Sequence, residues 1–361
     1  MSHHDAIVIG AGQSGLAAAH ALRAARLSPL VLEAGPEPTG SWPHYYDSLT
    51  LFSPARYSEL PGMAFPGDPN RYPHRDEVID YLRRYADRLD TDIQTGQRVR
   101  AVTRVAGLFT VDTDEQRFTA PIVIAATGGF GNPYRPTLPG LDQFTGHVLH
   151  VSQYRNPDRY ADQRVVVVGA GNSAAQVGVE LAGHAHVTLG TRAPIKYAPQ
   201  TILGRDMHWW ATTLGFDHLP IGPYLRTKPS VPVIDDGTYR HTIDAGRPAR
   251  SPLFTTIDGN QVTWPDGRTE HVDTILLATG YRPDLPYLAG LGALDATGAP
   301  RQIRGLSRTH PGLAYVGLEW QRSLASATLR GVGRDANYLV ERLLRTPASV
   351  PTIRCCEVAR T

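Results

Sequence analysis

The 361-residue sequence predicts an α/β protein built from two parallel-sheet domains, one inserted into the other. Three observations carry this expectation. An apolar strand, a glycine loop and an alanine-rich helix follow one another at 6–19 (AIVIGAGQSGLAAA). The same device returns at 165–176 (VVVVGAGNSAAQ). An Ala-Thr-Gly turn ends an apolar strand twice, at 126–128 and at 278–280, on either side of the second glycine loop. Strands covered on both faces read as continuous apolar runs, as these do. The flanking turns put the second unit inside the first, so that 1–145 and 281–361 form one split domain and 146–280 the insert.

Taken in order, the strand–loop–helix pattern at 5–33 opens a parallel βαβ unit whose strand starts by about Asp5. Residues 40–74 are rich in Pro, Gly and aromatics and read as a long irregular segment, which in a compact domain points to function. RDEVIDYLRRYADRL then places Val78, Ile79, Leu82, Tyr85 and Leu89 on one helical face. Short alternating strands are expected near 98–104 and 107–119, followed by a buried strand that runs into the Gly/Pro-rich crossing APIVIAATGGFGNPYRPTLPG. The second βαβ unit spans 164–192. After it come a Pro-rich stretch at 193–260 with the aromatic run MHWWATTLGFDHLP, a buried strand at 273–286, and a closing strand, turn and long helix.

Both glycine loops suit a pyrophosphate. The first glycine makes the tight turn, the second lets backbone N–H groups come close, and the third position must be small so that helix and strand can pack. The helix N-terminus then faces the phosphates. Loop one supplies Gly10, Gly12 and Gly15; loop two supplies Gly169, Gly171 and Ala174. The second strand of each unit ends at the same offset, at Glu33 in the first and at Arg192, after Thr191, in the second. An acid there binds ribose hydroxyls, and an arginine suits a 2′-phosphate. Two Rossmann-type dinucleotide-binding domains follow, the first for FAD or NAD and the second for NADPH. FAD completes a redox pair with a diffusible NADPH.

The motifs GAGQSG and GAGNSA, the two ATG turns, and FTGHVLHVSQY, which fits FxGxxxHxxxY through Phe144, Gly146, His150 and Tyr154, give the chain a family likeness over nearly its whole length. It resembles a class B flavin-dependent monooxygenase, of the flavin-containing and YUCCA-like type, and compact bacterial oxidoreductases found beside metal- and arsenic-resistance genes. Arg155 stands where a lysine is more usual, and Phe52 and Ser53 stand where flavin-containing monooxygenases carry an Asn near the flavin. The resemblance implies that NADPH reduces FAD and that a C4a-(hydro)peroxyflavin passes one oxygen atom from O2 to a small organic or organometalloid substrate. The alternative is an NADPH-dependent flavoprotein reductase serving a protein or quinone acceptor.

The resemblance also implies the cofactor contacts. These are Gly10, Gly12, Gln13, Ser14, Gly15, Glu33, Ala34, Trp42, Val99, Ala126, Thr127 and Gly128 in the first part. The insert adds Gly169, Gly171, Asn172, Ser173, Ala174, Thr191, Arg192, Thr279 and Gly280, and the return adds Tyr281, Gly317 and Leu324. Trp42, Ser53 and Gln321 are candidates on the flavin side, and residues 317–324 are expected to bring the last helix N-terminus to the flavin, where it would stabilise negative charge. His150 could orient NADP, join the domains, or be an ordinary structural histidine. Trp209 and Trp210 fit a substrate tunnel, or core or dimer packing.

Composition bounds these readings. A formal net charge of +2 points to no nucleic-acid or membrane partner, and no apolar run is long enough to span a bilayer. The two cysteines, Cys355 and Cys356, exclude a disulfide framework and a Cys-x-x-Cys redox pair. They leave a soft-metalloid site or a plain tail, and no metal site is expected. A cytoplasmic enzyme acting on a small molecule and O2 is the expectation, and a homodimer is compatible with it.

Overall fold

The computed structural model describes residues 2–225 and 227–345. The first domain begins with β1 (Ala6–Ile9), α1 (Gln13–Ala24), β2 (Pro29–Leu32), α2 (Arg75–Arg88), β3 (Asp92–Gln94) and β4 (Val123–Ala125). The chain then forms β5 (His147–His150), β6 (Arg164–Val168), α3 (Asn172–Leu181), β7 (His186–Thr191), α4 (Met207–Thr213), β8 (Ala249–Pro252) and β9 (Thr274–Leu277). It returns through β10 (Leu313–Tyr315) and closes with α5 (Leu329–Arg345).

One sheet runs β10-β4-β1-β2-β3, with every neighbouring pair parallel, and an antiparallel hairpin at 302–307 extends its β10 edge. The second runs β8-β7-β6-β9-β5, again parallel throughout. Alternate residues of a strand face opposite sides of the sheet. Ala6 and Val8 accordingly pack against α1, α2 and α5, while Ile7 and Ile9 face an antiparallel sheet of Val99–Val105, Leu108–Thr113 and Arg117–Ala120. In β6, Val165 and Val167 lie under α3, and Val166 and Val168 meet Ile257 and Trp264. Both faces are dry, so each valine contributes roughly 1.5–3 kcal/mol and a polar alternation would forfeit half of it.

Several expected boundaries move. The first strand is preceded by Ser2–His3, which pairs with residues 118–119. The segment 107–119 is two strands, because the Thr113 hydroxyl accepts the Gln116 N–H and turns the chain there. The strand expected at 273–286 covers only Thr274–Leu277 before the ATG turn, where Gly280 takes φ +83°. In α2 the buried stripe is Val78, Ile79, Tyr81, Leu82, Tyr85 and Ala86, with Leu89 at the C-cap only partly covered. The last helix starts at Leu329, and residues 317–324 are the loop that leads to it. Cys355 and Cys356 lie outside the described residues.

Residues 200–229 leave the insert and fasten onto the first domain. Gln200 Nε2 donates to the Phe52 carbonyl at 3.1 Å, and the Tyr72 hydroxyl donates to Asp206 at 2.6 Å. Further on, the fully buried Asp217 takes both Arg330 Nε (2.8 Å) and Nη2 (3.1 Å) from α5. Burial pushes the Asp217 carboxyl up, but the Arg330 bonds and the charges of Arg330, His208 and His218 outweigh it and hold the group below the usual carboxylate range. A depressed carboxylate stabilises the fold above its unfolded value, about 3.9, and that contribution disappears as pH falls through the lower folded value. Asp217→Ala strands the Arg330 charge, so unfolding by urea should show a loss of about 3–5 kcal/mol at neutral pH, and the gap to wild type should close in strong acid.

Candidate active site

Loop one is built by close approach. Gly10 has φ +100°, and a Cβ there would sit 2.9 Å from the Ala126 carbonyl oxygen. A Cβ at Gly15 would strike the Gly10 carbonyl oxygen at 1.8 Å, so only glycine lets α1 lie on β1. Glu33, buried at the end of β2, accepts the Ala11 N–H at 2.6 Å through one oxygen and the Gly35 N–H at 2.7 Å through the other. Ala34 beside it is exposed.

The N-terminus of α1 is enclosed. Gly40 lies against Gly12, where a Cβ on Gly40 would come within 2.6 Å of the Gly12 Cα, and Gly317 lies against the Ser14 side chain. Gln13 accepts from Trp42 Nε1 (3.1 Å) and donates to the Ala327 carbonyl (2.8 Å), tying the 40–46 loop to the segment before α5. Loop two is open by contrast. Gly169 turns tightly against Ala278, and Ala174 packs at the third position, yet a Cβ on Gly171 would meet nothing within 4 Å. Ser173 and Thr191 are half-buried, while Arg192 is exposed and bonds no other described residue.

The ATG turns meet. Thr127 donates to the Asp284 carbonyl at 2.6 Å, and Thr279 donates to the Tyr134 carbonyl. Asp284 N–H reaches the Gly128 carbonyl, and Arg282 N–H reaches that of Asn132, each at 2.9 Å. Beside this double crossing runs a row of rings: Trp42, Tyr45, Phe130, Tyr281 and His150, with successive centroids 4.7–5.6 Å apart. Burial pushes the Tyr45 hydroxyl up to about 12. Tyr45 and Phe130 were not singled out from the sequence; the only signal was the aromatic density of 42–46 and 130–134.

Other expected residues take structural places. His150 is fully buried; its Nδ1 accepts the Ser152 N–H (3.1 Å), and its Nε2 donates to the Gly280 carbonyl (3.1 Å), which joins β5 to the crossing. Phe144 packs in the core of the insert, a Cβ at Gly146 would hit the Asp273 carbonyl oxygen at 2.5 Å, and the Tyr154 hydroxyl bonds Glu180 at 2.9 Å. Arg155 donates to the His44 carbonyl.

Gln321 donates to the Tyr315 carbonyl and accepts the Leu318 N–H. The Asn172 amide is likewise spent, on Pro232 and Ile234. Ser53 is buried against Ser58 at 2.9 Å, Val99 packs on the Ile7 and Ile9 side of the first sheet, and Leu324 is half-buried. Trp209 and Trp210, edge to face at 4.7 Å, are half-buried and belong to no core cluster. A cavity of about 540 Å³ opens at the other end of the second sheet, by Asp162, Arg164 and His184. Dinucleotides bind beyond the carboxyl ends of parallel strands, so this cavity is not where loop two points.

Comparison with known proteins agrees with this layout. The pyridine nucleotide-disulphide oxidoreductase family matches residues 7–202. The "uncharacterized oxidoreductase CzcO-like" of Geobacillus kaustophilus is 34% identical over 94% of this chain and 98% of its own. The indole-3-pyruvate monooxygenase YUCCA1 of Oryza sativa is 30% identical over 78% of this chain and 77% of its own. The solved flavin-containing monooxygenase from Stenotrophomonas maltophilia superposes with a TM-score of 0.84 at 31% identity, covering 96% of this chain and 99% of that one. The chain belongs to the pyridine nucleotide-disulphide oxidoreductase family and, within it, to the class B flavin-dependent monooxygenases, oxidoreductases whose cofactors are FAD and NADPH.

Burial holds the His150 imidazole below its ordinary range, against the raising effect of its bond to Gly280. A histidine kept neutral in the fold stabilises it fully above the unfolded value, about 6.5, and the contribution is lost as pH falls through the lowered folded value. Removing both bonds in His150→Leu should cost about 1–3 kcal/mol at neutral pH. Stability curves measured from neutral pH down to about pH 5 should fall less steeply for the variant than for wild type.

Proposed function

We propose that this chain is an FAD- and NADPH-dependent monooxygenase that delivers one oxygen atom of O2 to a small organic or organometalloid substrate. The observation that carries the cofactor assignment is the contrast between the two helix N-termini. The enclosed one at Gly12 suits a group held permanently, and the open one at Gly171 suits a group that comes and goes. Residues 1–145 and 281–361 would hold FAD, and 146–280 would hold NADPH. Bound there, the flavin supplies the hydride acceptor and the activation of O2 that no side chain can supply.

The residues of the chain bind, orient and keep the site dry. The N–H groups at the start of α1 would hold the pyrophosphate, and Glu33, already fixed by Ala11 and Gly35, would take the ribose hydroxyls on its remaining lone pairs. The ring row from Trp42 to His150 excludes water between the loops, which strengthens every polar contact within. Transfer of electrons through a protein dithiol finds no Cys-x-x-Cys here.

The deciding experiment supplies the purified yellow protein with NADPH, ¹⁸O2 and a panel of sulfides, amines, ketones, indolic acids and arsenicals. One labelled oxygen in a product supports the reading. NADPH consumption that needs a quinone or disulfide and labels no product sinks it.

Arg192 stands exposed and unpaired among the described residues at the end of β7, where a 2′-phosphate of NADPH would lie. Charge-assisted bonds of that kind contribute roughly 1.5–3 kcal/mol. Arg192→Ala should therefore raise the NADPH KM roughly 10- to 150-fold, with kcat and the NADH KM little changed, because the phosphate is remote from the hydride. An unchanged NADPH/NADH ratio would move the contact to Lys196.

A further inference from the structure

The 202–231 stretch has its polarity inverted. Most of the exposed large apolar side chains among the described residues lie there, including Leu203 (87% exposed), Leu214, Phe216 (56% exposed), Leu219, Ile221 and Tyr224. The two carboxylates of the same stretch face inward: Asp206 is consumed by Tyr72, Gln200 and His208, and Asp217 by Arg330. What remains outside is apolar, aromatic and cationic. Arg205 lies over the Trp209 ring at 5.3 Å, Lys228 is exposed, and Arg304 bonds the Tyr224 hydroxyl at 2.7 Å and brings the exposed Ile303 to that end.

Hydrogen bonds hold the parts of this stretch in place. Trp210 Nε1 holds the Ile202 carbonyl, which pins the tip at Leu203 and Gly204 onto α4. The following turns are fixed from beneath by Gly222 N–H on the Arg322 carbonyl and by Trp320 on the Pro229 carbonyl. Their outward side chains are therefore presented on a rigid base. An exposed apolar patch on a rigid base marks a binding surface.

We propose that this face rests on the surface of an anionic lipid bilayer. Leucine, phenylalanine and isoleucine enter the acyl boundary, tryptophan and tyrosine sit at the headgroups, and arginine and lysine meet lipid phosphate. Charge selects the occupant: Arg205, Lys228 and Arg304 stand outward with no outward carboxylate in the stretch, which complements an anionic surface. Surface docking needs no spanning helix, and no helix among the described residues is long and apolar enough to span. Docking here revises the expectation of no membrane partner and leaves the proposed reaction as it stands.

The test is co-sedimentation of the FAD-loaded protein with vesicles. Vesicles of phosphatidylcholine with one-third phosphatidylglycerol should bind it, pure phosphatidylcholine should bind it weakly, and high salt should release part of it. The double variant Leu203→Ser/Phe216→Ser should lose at least about tenfold in vesicle partition. The same variant should keep its flavin content and melting temperature, since both side chains are outside every core cluster. No binding by wild type, or binding that the double variant retains, overturns the proposal. A wild-type dimer in sedimentation velocity that the double variant turns into a monomer assigns the face to a second copy and overturns it equally.

Discussion

Two threonine hydroxyls hold the relation on which the rest of the molecule depends. The chain crosses between its sheets twice, after β4 and after β9, and each crossing opens with Ala-Thr-Gly. Thr127 donates to the second crossing and Thr279 to the first, so each turn is closed by the other. Gly128 and Gly280 both take positive φ, +64° and +83°, which a side chain would resist. A Cβ at Gly129 would come within 2.7 Å of the Arg282 carbonyl oxygen, so the two strands of the crossing run too close for any larger residue. The distance between the glycine loops is set by this pairing together with the attachments of the 200–229 segment, and not by either domain alone.

The same crossing explains where the residues of FxGxxxHxxxY are placed. His150 ends β5 with one nitrogen on Ser152 and the other on Gly280, and Arg135 of the first crossing bonds Gln153 just beyond it. Gly146 admits the Asp273 carbonyl, and Tyr154 secures Glu180 on α3. Each of the four residues sets where the insert starts relative to the hinge. A protein that must bring a nicotinamide and a flavin into register needs that placement held to a fraction of an ångström. A buried, neutral histidine with both nitrogens engaged holds it more rigidly than an apolar residue of similar size.

The two strand–loop–helix units were legible because their signals are local. Burial on both faces makes Ala6–Ile9 and the run 165–168 apolar without alternation, and steric demand makes the loop residues small. The mutual closing of the ATG turns was not legible, since Thr127 and Asp284 are 157 residues apart and leave no periodic trace. The backbone bonds of the Gln321 and Asn172 side chains were not legible either. An amide side chain can bond the nearby backbone as readily as a ligand, and sequence spacing does not distinguish the two. The start of α5 at Leu329 has no sequence mark of its own, since no proline or glycine separates Gly317 from Leu329. Ser326 Oγ accepts the Arg322 and Ser323 N–H groups instead, and so delays the helix.

Fastening the insert has a structural consequence of its own. The 200–229 segment reaches two distant points of the first domain, the Phe52–Tyr72 region and the α5 start, and both attachments are polar. A short stretch has few polar side chains, and these are spent beneath. Asp206 and Asp217 cannot also face solvent, so the outer surface is left to leucine, isoleucine, phenylalanine, tyrosine and the cations Arg205 and Lys228. Elsewhere on the protein the reverse arrangement holds, with apolar residues inside and charge outside. Strong anchoring of this strap to the flavin-side domain and its apolar exterior therefore have one cause. The surface that results faces whatever in the cell can cover it.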